Sequence, residues 1–144
     1  MVSRPTVDPV IQPGDIETLA LYYLQPVLST TPCATRLPQP NNQSDTINGF
    51  LRVEAAGGGK ANYLEYDLNL ILHAYSPVEM QAANICQTAM AFMTAARGQT
   101  VAGWFVGLVK NTVMPHRLTD PNINLVRYRA AVTWRVAGQP LYGS

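Results

Sequence analysis

The sequence predicts an α+β domain: a mainly antiparallel sheet of about four to five strands with two helices packed on one face. Three stretches lead to that class. From Tyr63 to Tyr75, the even positions Leu64, Tyr66, Leu68, Leu70, Leu72 and Ala74 alternate with Glu65, Asp67, Asn69, Ile71 and His73. A period of two marks a half-buried strand. From Ile123 to Val136 the pattern returns, with Val126, Tyr128, Ala130, Val132, Trp134 and Val136 on one side and Arg127, Arg129, Thr133 and Arg135 on the other. Between these strands, Ser76-Pro77-Val78-Glu79 has the order of a capping box: an N-cap, a proline at the first helical position and a glutamate at the third. The helix it starts carries Val78, Ala82, Ile85, Ala89, Phe92 and Ala96 at spacings of four and three. Cys86 and Met93 widen the stripe, and Gly98 ends it.

The remaining elements follow in chain order. Pro5, Pro9 and Pro13 and the lack of any period make residues 1–14 an extended arm. Asp15 is a good N-cap for a helix bearing Ile16, Leu19, Ala20, Tyr23, Leu24 and Val27 on one side, and Pro26 is expected to kink or end it. A short strand is expected at Cys33 to Leu37, inside a long polar connection that includes Asn41, Asn42, Gln43, Ser44 and Asp45. Phe50 to Ala55 alternates as a strand. Gly57-Gly58-Gly59-Lys60 then reads as the loop of a hairpin into Tyr63. A phosphate-binding loop would need four residues between its first glycine and a Gly-Lys-Ser/Thr ending, but Glu54 holds the earlier glycine position and Ala61 follows Lys60. Val101 to Val113 is expected to be a strand, Met114 to Asn122 a loop, and 138–144 a flexible tail. The domain proper is thus 15–137.

Length allows one domain with a single core. Charged residues are 13% of the chain, about half the usual share of roughly 25%. Such a surface of amides, hydroxyls and small side chains suits lasting contact with other protein. The formal charge of +1 provides no global attraction to nucleic acid or anionic lipid. Cys33 and Cys86 form no short motif and read as reduced structural thiols. A basic-then-apolar leader is not seen, nor an apolar run near the ~20 residues of a membrane span, so the expectation is a soluble protein made in a cytoplasm.

The residue types that carry catalysis are sparse. His73 on the polar side of a strand and His116 in a loop read as surface histidines, with no second ligand at metal spacing. Glu65 and Asp67 share a strand face and could act as paired carboxylates. Their expected role is electrostatic, opposite Arg127, Arg129 and Arg135 across a sheet or a subunit boundary. In a ring, acidic and basic patches on different flanks would meet head to tail.

Asp15-Ile16-Glu17 to Leu24, Phe50-Leu51-Arg52-Val53, Leu70 to Ser76, and Tyr128 to Val136 resemble the tail terminator proteins of long-tailed bacteriophages, also called tail completion or minor tail proteins. The resemblance spans roughly 15–137 and rests on no catalytic signature. Members often have a shorter connection where this chain has 38–49. The resemblance implies a homohexameric ring on the head-proximal end of the tail tube, made in the host cytoplasm and carried in the virion neck. It would stop tube growth, receive the head-tail connector proteins, let DNA pass through its bore, and need no cofactor or membrane. On that reading Glu65, Asp67, Arg127, Arg129 and Arg135 are the subunit-interface candidates. The loops at 38–49, 57–61 and 115–122 would touch tube or neck subunits through Asn41, Asn42, Asp45, Lys60, His116, Arg117 and Asp120. The alternatives are another head-to-tail connector ring or, from a different class, a small-molecule-binding or enzymatic α+β domain with a pocket between sheet and helices.

Overall fold

A computed structural model describes residues 10–28, 30–36, 49–119 and 125–140. Its elements run β1 (Ile11–Gln12), α1 (Ile16–Val27), β2 (Cys33–Ala34), β3 (Phe50–Lys60), β4 (Glu65–Ser76), α2 (Glu79–Ala95), β5 (Thr100–Val101), β6 (Trp104–Leu118), β7 (Val126–Ala137) and β8 (Gln139–Pro140). Six strands form the main sheet in the order β2-β3-β4-β7-β6-β5, and β1 pairs with β8 separately. The α+β class holds. The sheet is larger than expected and mixed, because β2 runs parallel to β3 with Cys33 opposite Leu51.

Both helices use the alternation of the long strands. Leu51 and Val53 on β3, Leu70, Leu72 and Ala74 on β4, and Ala130, Val132, Trp134 and Val136 on β7 turn to one face. They are buried there with Ile16, Leu19, Ala20 and Leu24 of α1 and Ile85, Cys86, Ala89, Met90 and Met93 of α2. Trp134 sits at the centre, fully buried. Its indole N–H donates to the Met93 carbonyl at 2.9 Å, and Tyr23 meets its ring edge-on with centroids 5.8 Å apart. Both cysteines are buried free thiols, and burial pushes Cys33 up to about 11 and Cys86 up to about 12.

Asp15 caps α1 as its sequence suggests: one carboxylate oxygen accepts from Glu17 N at 3.2 Å and the other from Thr18 Oγ1 at 2.8 Å. Pro26 sits in the last turn, one residue before the helix ends. Glu17 then reaches the sheet, its Oε2 accepting from Ala55 N at 2.8 Å and so covering part of the outer edge of β3. The second helix begins later than the capping box implies. Val78 is its N-cap without a side-chain bond, while Ser76 Oγ accepts from Val78 N at 3.0 Å and donates to Gln81 Oε1. Ser76 is fully buried as the last residue of β4, so it holds the turn between strand and helix, and Val78 is left exposed.

The structure refines four of the expected boundaries. Gly57-Gly58-Gly59-Lys60 belongs to β3, with a bulge between Ala55 and Gly58, and the turn of the hairpin is 61–64. Gly58 makes this continuation workable: at φ +147°, an added Cβ would lie 2.0 Å from the Asp67 carbonyl oxygen. The expected loop from Met114 is strand as far as Leu118. The register of β6 against β7 shifts three times along its length, which curls the strand, and Pro115 is accommodated inside the last of these shifts, between Val113 and His116, on a stretch that the two-residue β5 does not reach. The strand read as starting at Val101 is two, β5 and β6, divided by Ala102 and Gly103 at φ +49° and +88°. Finally, Gln12 and Ile11 of the arm pair with Gln139 and Pro140 of the tail, and Tyr66 Oη donates to the Ile11 carbonyl at 3.0 Å.

Candidate functional site

The face of the sheet turned away from α1 and α2 carries most of the ordered charge. Strand register sets its side chains in rows across β3, β4, β7 and β6. The first row is Phe50, Tyr75, Arg127 and Leu118; the second is Arg52, His73, Arg129 and His116; the third is Glu54, Ile71, Ala131 and Val113. Further along come Asn69, Thr133 and Lys110, and then Asp67, Arg135 and Leu108. Directly opposite residues on one face have close Cβ atoms, so these rows are contact rows.

The expected pairing of acidic β4 with basic β7 occurs inside one chain. Arg135 Nε donates to Asp67 Oδ1 at 2.9 Å and its Nη2 to Oδ2 at 3.2 Å, a two-point bond between directly opposed residues. That bond holds the Asp67 carboxyl below its ordinary range, while burial works the other way. The two strands are neighbours in the sheet, so Asp67 and Arg135 do not form separate flanks awaiting another subunit. Glu65, also a candidate, accepts from Asn62 Nδ2 at 2.8 Å and helps shape the hairpin turn. Replacing Asp67 by Asn should cost no more than about 1 kcal/mol, because both partners are more than a quarter exposed. Its pH signature is specific: a depressed folded pKa contributes stability above the unfolded carboxylate value, and that contribution disappears as pH falls through the folded value. Urea denaturation of wild type and Asp67→Asn should therefore converge in acid.

The opposite end of the face is more enclosed. His73, read from sequence as a surface residue, is 2% exposed, and Tyr75 beside it is equally buried. Its Nε2 lies 2.9 Å from Glu54 Oε1 and its Nδ1 lies 2.9 Å from an Arg127 terminal nitrogen. Arg129 lies directly across from His73 on β7, and its charge helps keep the Glu54 carboxyl ionised. The aromatic residues Phe50 and Tyr75 on the nominally polar side of β3 and β4 were the available sign that this side is enclosed as well.

The remaining candidates scatter. Lys60 stands over the rings of Tyr63 and Tyr66, 4.8 and 5.8 Å from their centroids, at the hairpin end. His116 and Arg117 lie on β6; His116 Nδ1 donates to the Met114 carbonyl at 3.1 Å, and Arg117 pairs with Glu79 at 3.1 Å, where Tyr128 Oη also donates. Asn41, Asn42, Asp45 and Asp120 lie outside the described residues.

One surface escaped the sequence reading. Of the seventeen residues of α2 only Glu79 is charged, and the outer side of the helix carries Met80, Asn84, Gln87 and Ala91 exposed. Met80, Gln81, Ala83, Asn84 and Gln87 form a continuous open patch along the first turns of α2, and Met80 itself is 83% exposed. The signal was present as an absence of charge, since an outward helix face usually carries Lys, Arg or Glu. Among the described residues, no group of histidine, cysteine and carboxylate side chains is arranged to hold a metal ion, and no helix is long and apolar enough to cross a membrane. Compared with known protein families and with curated proteins, the chain matches no family model and no curated sequence.

Proposed function

We propose that the chain is a structural assembly protein of a bacteriophage tail, capping the head-proximal end of the tail tube as a homohexameric ring and presenting the surface for neck attachment. The observation that carries this reading is the outer side of α2, an uncharged helix face on which Met80, Asn84, Gln87 and Ala91 stand exposed. A face of this kind has no charge to desolvate on burial against protein, and its amides can be satisfied by hydrogen bonds to the partner. The residue pattern that resembles the terminator family supplies the particular assembly. The ionisable groups of the sheet face support a binding role, since Asp67 with Arg135 and Glu54 with His73 are engaged with one another across strands. Capping requires no covalent chemistry: one ring face imitates the next layer of tube and the other refuses a further layer.

Charge reversal locates the subunit boundary on this reading. Arg129→Glu should prevent ring formation with the fold retained, as read by circular dichroism; intact rings would remove Arg129 from the boundary. The function itself is tested by light scattering over a range of protein concentrations, with and without magnesium, followed by addition to polymerising tail-tube subunits. A mass of about six subunits, or arrest of tube growth at substoichiometric amounts, is the expected outcome. A chain that neither assembles nor halts tube growth overturns the reading. Arrest of tube growth would favour the terminator over the neighbouring connector-ring alternative, which would join heads to tails without ending tube growth.

A further inference from the structure

We propose that Glu54, His73 and Arg127 form an acid-released latch across β3, β4 and β7: neutral His73 ties the two outer strands together, and a proton on its Nδ1 expels the Arg127 guanidinium and loosens the start of β7. The inference is independent of the phage-tail reading.

Its basis is a constraint on hydrogen bonding. A guanidinium has donors only, so Arg127 at 2.9 Å obliges His73 Nδ1 to accept. A ring with an accepting Nδ1 is neutral and carries its proton on Nε2. That proton is then donated to Glu54 Oε1 at 2.9 Å, and the carboxylate accepts. One imidazole thereby joins three strands, reaching diagonally to Glu54, which opposes Ile71, and to Arg127, which opposes Tyr75. The ring is 2% exposed and stacked on Tyr75, with centroids 6.4 Å apart and planes at 29°, so it has little freedom to turn and change partners. Arg127 is held over Tyr75 as well, its guanidinium carbon 5.9 Å from the ring centroid.

The charged and titratable groups facing His73 from the packed strands are Arg52 and Glu54 on β3, Tyr75 on β4, and Arg127 and Arg129 on β7; His116 on β6 lies beyond Arg129 in the same row. Burial is the largest influence on His73 and lowers its pKa, with Arg52 and Arg127 adding to the effect and the Glu54 bond opposing it. The sign is therefore fixed. A depressed folded pKa favours folding above the unfolded histidine value of about 6.5, and the advantage is lost as pH falls through the folded value. Glu54, whose carboxyl is lowered first by its bond from His73, loses its contribution in the same direction at more acidic pH. On protonation His73 Nδ1 becomes a donor and faces the arginine nitrogen, which is a donor already. Their 2.9 Å contact cannot persist, and Arg127 is the partner with a flexible side chain able to leave.

The test uses the whole chain, wild type and His73→Gln. A glutamine can accept from Arg127 and donate to Glu54 but does not titrate. Between about pH 7.5 and about pH 5, which bracket the unperturbed histidine value, the folding equilibrium of wild type should fall at least about tenfold further than that of His73→Gln. Long-range proton–nitrogen spectra of the wild-type ring should show the Nε2–H tautomer at neutral pH, with the Arg127 side-chain signals shifting in step with His73 protonation. Hydrogen exchange at Arg127 and Tyr128 should accelerate over the same range. An Nδ1–H tautomer, an Arg127 signal indifferent to His73 titration, or equal pH dependence in the two chains overturns the latch. If His73→Gln fails to fold, the wild-type ring spectra decide the matter alone.

Discussion

Trp134→Ala is expected to lower stability by about 3–5 kcal/mol, the range for emptying a buried aromatic site. The site is the point where β7, α1 and α2 meet. Trp134 is fully buried, edge-on to Tyr23, and bonded through its indole N–H to the Met93 carbonyl. Truncation removes the ring from between sheet and helices and leaves that carbonyl with the long 3.4 Å bond from Ala96 N. The neighbours on its face of β7, Val132 and Val136, are anchored in the sheet ladder and cannot move far into the space. Trp134→Phe retains a ring but loses the N–H donor, so its cost should be clearly smaller. Urea denaturation followed by circular dichroism checks both, with an unchanged slope showing that the variants unfold from the same compact state. A loss below about 1 kcal/mol for the alanine variant would mean that the centre of the core lies elsewhere.

Gly58→Ala should be damaging for a different reason, with a loss of about 3 kcal/mol or more. Its new methyl carbon would stand 2.0 Å from the Asp67 carbonyl oxygen, 3.1 Å from the carbonyl carbon and 3.2 Å from Leu68 Cα. These are backbone atoms of the paired strand, so a rotamer change gives no relief. The φ of +147° adds strain for any residue with a Cβ. Gly59 is the internal control. It is one residue away and exposed, and a Cβ there meets nothing within 4 Å, so Gly59→Ala should change stability by less than about 1 kcal/mol. Thermal denaturation of the two variants side by side gives the comparison, and hydrogen exchange at 66–70 should report the local opening in Gly58→Ala. Equal effects would show that the glycine run is needed for hairpin freedom as a whole, and not for one close approach.

That contrast also shows where sequence reading and structure part. Three glycines in a row read naturally as a turn, since glycine loses the most freedom on ordering. In the molecule they lie in a strand, because the bulge at Ala55 and Gly58 lets β3 come close to Asp67 and continue. The reading of 114–122 as a loop has a related cause. Pro115 cannot donate within a ladder, which argues against a central strand, but it falls in the register shift between Val113 and His116, and among the described residues β6 is paired there on the β7 side alone.

Other features were legible because they are local. Asp15 as a cap, the apolar stripe of α2 from Ala82 onward and the alternation of β4 and β7 each depend on spacing along one stretch of chain, and each is found in place, while Val78 at the expected head of the stripe stands exposed. The charged candidates of β4 and β7 share one sheet face, and of the two settings the sequence left open for their pairing, across a sheet or across a subunit boundary, Asp67 and Arg135 take the first. Acidic β4 and basic β7 are adjacent, and Asp67 spends its charge on Arg135 before any second subunit is considered.

The amino-acid order by itself determined which side chains share a strand or helix face, because period and capping act over a few residues. It also determined the class, since two amphipathic helices and long half-buried strands have few ways to hide their apolar sides. Only the tertiary structure decided which strands are neighbours. That choice turned a surface histidine into a buried, three-strand connection between Glu54 and Arg127 and set Asp67 against Arg135 within one chain. The physical reason is distance along the chain: residues such as His73 and Arg127 meet only after the sheet closes, and strand order is set by the packing of the whole core.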